Sequence, residues 1–428
     1  MKFFGAPSSR RCWTKALIFK EQTMNKPLKG VRVVEMGTVV LAPYAAQILA
    51  ELGADVIKVE PPTGDITRNQ GYSRNPGMAA LFLSCNRGKR SVVIDAKAPG
   101  GLQALERLLS TADVFLHNLR ASTASRLGIG FERLAPLNPR LVYCATYGYG
   151  ASGPHRDRPA YDDIIQAASG AAGLTQSITG TPGYMPTIVA DKTTALFVVI
   201  GIQGALMRRK ATGVGERIEV PMFESMVHYL SVEHQAGLCF EPPMGPPGYR
   251  RMMSTFRRPH QTSDGFIAVM PHGERDWIVF FEACGLPEIM QDARFRDAAS
   301  RARHINELYE RLSELMKTRT TAEWVVFLER HAIPHSVVND FQSLRHDDHL
   351  REVGFWQEFE HPSEGKLVAP AFPVHYQDHP DRGGLKPAPR LGEHTAQMLG
   401  ELGYSTGEVD HLIRSGATLE STFPIHAK

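Results

Sequence analysis

Cysteine is scarce in this chain. Its 428 residues hold five, Cys12, Cys85, Cys144, Cys239 and Cys284, each standing alone, with no C-x-x-C pair and no metal-ligand spacing. That excludes a disulfide framework or a zinc ribbon as the organising device and points to reduced thiols in a reducing compartment. Excess charge is missing too. Forty-eight Lys and Arg face 45 Asp and Glu, a net charge of +3. The bulk balance therefore marks no dedicated nucleic-acid or membrane-surface binder. The longest apolar run, Ala195 to Met207, is too short to cross a bilayer and is interrupted by Gln203. There is no internal repeat and no low-complexity tract.

What is there has the balance of a globular chain, 43% hydrophobic and 22% charged. Its length exceeds one ordinary core, so two domains are expected. Residues 1–23 differ from the rest, with five basic residues and a single acid, Glu21. They read either as an organelle transit segment or as a flexible N-terminal extension. From Met24 the chain alternates short β runs (RVVEM, ADVIKVE, SVVID, ADVFLHN, LVYCATY) with helical stretches such as GGLQALERLLSTA. That alternation predicts an α/β fold, with a parallel sheet covered by helices on both faces. A Pro-, Met- and Arg-rich stretch over 236–262 reads as a linker. Residues 263–338 read as a smaller α+β domain, and 339–428 as a loop-rich tail ending in two helices.

GYGASG at 148–153 matches G-x-G-x-x-G after a strand. A dinucleotide site needs a helix opening at the third glycine. Here PHRDRP follows, so the expected role is a turn where backbone passes close to another group.

Asp191 poses a sharper question, because it stands alone where an apolar helical run begins, in VADKTTALFVVIGIQGALMRRKATG. With a helix expected from Lys192, it reads as an N-cap or as a carboxylate set at a site.

Several blocks together resemble the family III CoA-transferases, of the formyl-CoA and carnitine-CoA type. They are LKGVRVVEMGTVVLAPYAAQILAELGADVIKVEPPTGDITR, NRGKRSVVID, ADVFLHNLRASTASRLGIGFERLAPLNPRLVY, GYGASGP, YDDIIQAASG, VADKTTALFVVIGIQGALMRRKATGVGERIEVPMFE and PRLGEHTAQMLGELGY. They run in the family's order from about residue 28 to about 412. The resemblance implies that Asp191 is a nucleophile and that CoA passes from an acyl-CoA to a carboxylic acid through an aspartyl-CoA intermediate. It implies a Rossmann-like large domain (24–235) to which residues 339–428 return, and an interlocked homodimer. It aligns Val40, Leu41, Asn86, Arg87, Gly88, Lys89, Asn118, Leu119, Arg120, Arg126, Tyr161 and Asp162 with the family's CoA contacts. The CoA thioester is then a substrate; no tightly bound cofactor, metal, nucleic acid or membrane is expected, and the setting is cytoplasmic, or the mitochondrial matrix if residues 1–23 are a transit segment.

The chain also departs from the pattern. The run of glycines that shields the intermediate in formyl-CoA transferases is replaced by YRRMMSTFRRPH, and Pro61 stands in place of a basic CoA contact. Racemases of the same superfamily use a His-Asp pair to move a proton beside the thioester. Here Tyr161 occupies the histidine position, and tyrosine is a poor base at neutral pH. Transfer is therefore the main expectation and 2-methylacyl-CoA racemisation the alternative. Arg257, Arg258 and His260 read either as a clamp for an acyl group with a second carboxylate, such as succinyl, or as linker side chains facing water or CoA phosphates.

Overall fold

The computed structural model describes residues 26–376 and 385–419. The expected extension 1–23 lies outside them. Six strands form the main sheet: β1 (Arg32–Met36), β2 (Asp55–Glu60), β3 (Lys89–Val93), β4 (Val114–His117), β5 (Val142–Tyr147) and β6 (Arg217–Pro221). Their spatial order is 3-2-1-4-5-6 and every neighbouring pair is parallel. The physical cause is visible in the sequence. Successive strand residues are apolar and buried on both faces, so Val33 joins one core and Val34 the other.

Helices cover both faces. α1 (Leu41–Glu51) follows β1 and α2 (Ala80–Cys85) precedes β3. After β3 and β4 come α3 (Gly101–Leu109), α4 (Ala121–Arg126) and α5 (Phe131–Leu134). Between β5 and β6 lie α6 (Asp162–Ala168), α7 (Ala171–Thr179) and α8 (Val189–Thr212), and α9 (Met222–His234) follows β6. α1 and α8 share one core, through Leu41, Ala45 and Leu49 against Ala195, Val198 and Ile202. α3 lies over the other face with Leu105 and Leu108 against Phe115 and Tyr143.

A separate core surrounds Trp277, Phe280, Leu312 and Trp324. It is built from α10 (Glu274–Ala283), α11 (Ala298–Arg303), α12 (Ile305–Met316) and α13 (Thr321–Arg330) beside an antiparallel sheet of β7 (His260–Gln261), β8 (Phe266–Val269) and β9 (His335–Val337). The stretch read as a linker over 236–262 thus includes strand β7 near its end. Beyond α14 (Asp348–Glu352), the region read as loop-rich contains a hairpin, β10 (Trp356–His361) with β11 (Gly365–Pro370). The last helices, α15 (Thr395–Glu401) and α16 (Thr406–Arg414), sit at the β3 edge of the main sheet. There Val93 N–H donates to Thr395 Oγ1 and the Thr418 hydroxyl donates to Val93 O.

α8 begins at Val189, three residues before the expected start. By length and composition it could cross a membrane. One stripe of it, Asp191, Ala195, Val198 and Ile202, is nevertheless packed inside the protein. After β5, no helix opens at Gly153. A Cβ on Gly148 would meet Ala160 Cβ at 2.3 Å, and one on Gly150 would meet Glu224 Oε1 at 2.6 Å. Close approach explains those glycines.

Candidate active site

In an open parallel sheet, ligands bind where the strand order reverses, outside the carboxyl ends of the strands. In this sheet the reversal lies between β1 and β4. The turn after β1 and the residues after β4 meet there. Asn118 spans the crevice, accepting from Thr38 N–H at 3.1 Å and donating through Nδ2 to Thr38 O at 2.8 Å. Leu119 donates its N–H to His117 Nδ1, while Arg120 reaches Asp157 O from an exposed position. Arg126 is exposed in the last turn of α4.

The N-termini of α1 and α8 converge on the same crevice. Asp191 is 8% exposed. Its Oδ1 accepts the Leu41 N–H at 3.1 Å, a bond between residues 150 apart in sequence. Asp191 is not an N-cap, because it lies inside the first turn of its helix. The acid that receives that helix's free N–H groups is Asp162. Its Oδ1 accepts from Ala190 N–H at 2.6 Å and from Asp191 N–H at 3.2 Å. Gln166 completes the brace, donating to Asp162 Oδ2 and accepting the Met185 N–H. Burial first, then the like charge of Asp162, pushes the Asp191 carboxyl up to about 6. The Leu41 N–H and the residue's own N–H pull the other way. At neutral pH most of it remains an anion.

Several residues aligned with CoA contacts serve other purposes. Asn86 and Lys89 are buried; Lys89 Nζ donates to Glu35 Oε2, Pro43 O and Asn86 Oδ1, which fills all three of its donors. Burial draws its pKa down to about 8 against the pull of Glu35. Direct phosphate contact by Lys89 is incompatible with this arrangement. Gly88 packs under Leu385 with φ +77°. The Arg87 side chain points along α1 to Pro370 O and Glu51. Tyr161 is 70% exposed, so it is not a core residue, and it precedes α6. Arg257, Arg258 and His260 border a different cavity, between β7, β8 and Tyr309. His260 hydrogen-bonds Ser313, and burial followed by the charge of Arg258 lowers its pKa to about 4. It therefore adds no positive charge at pH 7.

A cavity of about 770 Å³ opens beside Asp191. Val40, Ile188 and Lys192 border it at the Asp191 end, Arg87 and Glu51 lie far along α1, and Ile48, Phe359 and Leu367 stand among its apolar walls. The β10–β11 hairpin closes one side, which no reading of the tail as loop could anticipate. Among the described residues no cluster of three His, Cys, Asp or Glu is placed to hold a metal.

The sequence matches the description "CoA-transferase family III" over residues 28–395. The chain belongs to this family. It is therefore a CoA-transferase that uses CoA thioesters as substrates. It is 31% identical over 393 residues to a mouse succinyl-CoA:glutarate CoA-transferase, covering 91% of this chain and 90% of the relative. A succinate–glutarate CoA-transferase of Agrobacterium fabrum is 32% identical over 386 residues, covering 88% and 96%. A formyl-CoA:oxalate CoA-transferase of Shigella sonnei is 29% identical over 414 residues, covering 90% and 98%. Among solved structures, a CAIB/BAIF family protein from Brucella suis superposes with a TM-score of 0.74 at 30% identity, covering 89% of this chain and 100% of that one. Within this family III chain, the fold, the switch-point crevice and the acid at the head of α8 form a single arrangement.

Proposed function

We propose that this enzyme moves CoA from an acyl-CoA to a carboxylic acid acceptor through Asp191, with a dicarboxylic acid such as succinate or glutarate as one partner. The observation that carries the reading is a buried carboxylate at the meeting point of two helix N-termini, accepting the Leu41 N–H. An Asp191 oxygen attacks the thioester carbonyl. The C–S bond breaks, CoA thiolate leaves, and an aspartyl acyl anhydride forms. The thiolate then attacks the aspartyl carbonyl, releasing the donor acid and leaving CoA on Asp191 as a thioester. The acceptor carboxylate attacks that thioester and the same two steps run in reverse, restoring the free aspartate. Val40 N–H, which has no acceptor among the described residues, is the candidate donor to the tetrahedral oxyanion.

The dicarboxylic partner rests on the names of the relatives from mouse and Agrobacterium fabrum. Asn118, Leu119 and Arg120, which follow β4, and Arg126, in the last turn of α4, are assigned to the CoA side. The cavity along α1 is assigned to the acyl group. Arg257, Arg258 and His260 line a separate cavity and are not assigned to the acyl group in this reading. An exposed apolar row on α8, Leu196, Ile200 and Met207, supports a homodimer; native mass measurement of the oligomer tests it. A cytoplasmic or matrix setting is tested by imaging the tagged full chain with and without residues 1–23.

The deciding experiment is intact-protein mass spectrometry after mixing with succinyl-CoA, beside Asp191→Ala. A hydroxylamine-sensitive adduct of CoA size, absent from the variant, supports the reading. No adduct with any of a panel of acyl-CoAs, together with deuterium wash-in from D₂O at the carbon next to the thioester, overturns it in favour of racemisation.

A further inference from the structure

Beneath the β1–α1 turn lies a buried set of four charged side chains that the transfer chemistry does not use. Glu35, Lys58 and Lys89 are fully enclosed or nearly so, and Asp65 is 1% exposed. Two acids and two bases leave no net charge. Lys58 Nζ lies 3.2 Å from Glu35 Oε1 and 3.0 Å from Asp65 Oδ2. The contact with Asp65 is an ion pair without hydrogen-bond alignment, since Oδ2 accepts no hydrogen bond.

These groups also grip the turn above them. Glu35 Oε1 accepts the Gly37 N–H at 3.0 Å, and Lys58 Nζ donates to Gly37 O at 2.8 Å. Asn118 takes both main-chain groups of Thr38. Asp65 Oδ1 accepts the Val39 N–H at 3.4 Å. Side chains from β1, β2, the loop after β2 and the end of β4 thus hold three consecutive peptide units. Residue 39 needs such support. Val39 has φ +68°, a left-handed conformation that is strained for a β-branched residue. A strained backbone persists only where its surroundings over-determine it, and such strain clusters at functional sites. Two residues later comes Leu41 N–H, the donor to Asp191.

We propose that Lys58 and Asp65 are positioning residues for the transfer reaction: they fix the Gly37–Val39 turn so that the Val40 and Leu41 N–H groups face the Asp191 carboxylate and the reacting carbonyl. A salt-bridge cluster serving stability alone has no reason to hold Gly37 N–H, Gly37 O and Val39 N–H of one strained turn. A buried ion pair is in any case weak evidence for net stabilisation, because desolvation offsets the attraction. The inference rests on Asp191 as nucleophile.

The test measures the single-turnover rate of CoA-adduct formation on Asp191, and separately the KM for acyl-CoA, in Lys58→Met and Asp65→Asn. Circular dichroism and thermal unfolding give the folded fraction. A misplacement of about an ångström can cost on the order of a hundredfold in rate. The expected result is adduct formation slowed roughly 10- to 100-fold per folded molecule, with KM changed much less. An adduct rate per folded molecule equal to the parent's overturns the proposal, and so does a loss confined to KM. If Lys58→Met does not fold, Asp65→Asn, which preserves shape, decides alone. Failure of the nucleophile reading is distinct, because the parent enzyme itself then forms no adduct.

Discussion

Asp162 caps the helix that carries Asp191: its Oδ1 accepts the N–H of Ala190 at 2.6 Å and that of Asp191 at 3.2 Å. One carboxylate therefore builds the seat of another and, through its charge, also weakens the acidity of that neighbour. Burial is the larger cause of the raised Asp191 pKa and Asp162 the second.

The nucleophile must be ionised to attack, so adduct formation should rise with pH through an apparent pKa of about 6. Asp162→Asn keeps an oxygen for the two N–H groups but removes the like charge. The expected outcome is a profile shifted to lower pH, with activity retained. Single-turnover rates from pH 4.5 to 8 check it; a profile that stays in place rules out the charge of Asp162 as a cause.

Asp191 also has a stability signature. Its folded pKa lies above the unfolded value of 3.8, so the folded state holds the proton more tightly. The resulting cost is absent below about pH 4, grows as pH rises to about 6, and is then constant. Asp191→Asn should abolish transfer and yet raise stability at pH 8 by up to about 3 kcal/mol, with no such gain at pH 3.5. Denaturant unfolding at the two pH values measures it.

Arg120, which follows β4, and Arg126, in the last turn of α4, are exposed. Each, changed to Ala, should raise the KM for acyl-CoA by about 2- to 5-fold, as expected for a solvent-exposed ionic contact, with the adduct rate at saturation nearly unchanged. The effect should shrink at high salt. An unchanged KM at low ionic strength removes that arginine from the CoA side.

The cavity assigned to the acyl group in the proposed function is longer than a succinyl or glutaryl group. From Leu41 to Glu51, α1 extends about 15 Å, and apolar side chains dominate the walls between. Far along that helix stands Arg87, whose Nε is buried with no hydrogen-bond partner. Straight-chain dicarboxylic acids longer than glutarate should therefore be accepted. Ile48→Trp, which narrows the cavity, should lower kcat/KM for long acceptors by about tenfold relative to succinate. A ratio unaltered by Ile48→Trp moves the acyl group out of this cavity.

Much of the architecture was legible in the chain. RVVEM, ADVIKVE and ADVFLHN alternate with helical stretches, and that pattern alone implies a parallel sheet. The hairpin at 356–370 was not legible, because half of its side chains face solvent and its stabilisation comes from pairing across a turn. The start of α8 was misplaced by three residues because its cap belongs to another helix, a signal absent from the local sequence.

By itself, the sequence determined the order of strands and helices and the singular position of Asp191 at the head of an apolar helix, since hydrophobic periodicity and chain order are local properties. Only the tertiary structure decided that Asp162 is the cap, that Lys89 is sealed in a neutral charge cluster instead of facing phosphate, and that Leu41 N–H meets Asp191. Each of these is a hydrogen bond or an ion pair whose strength depends on distance, alignment and exclusion of water, and all three are set by how remote segments pack.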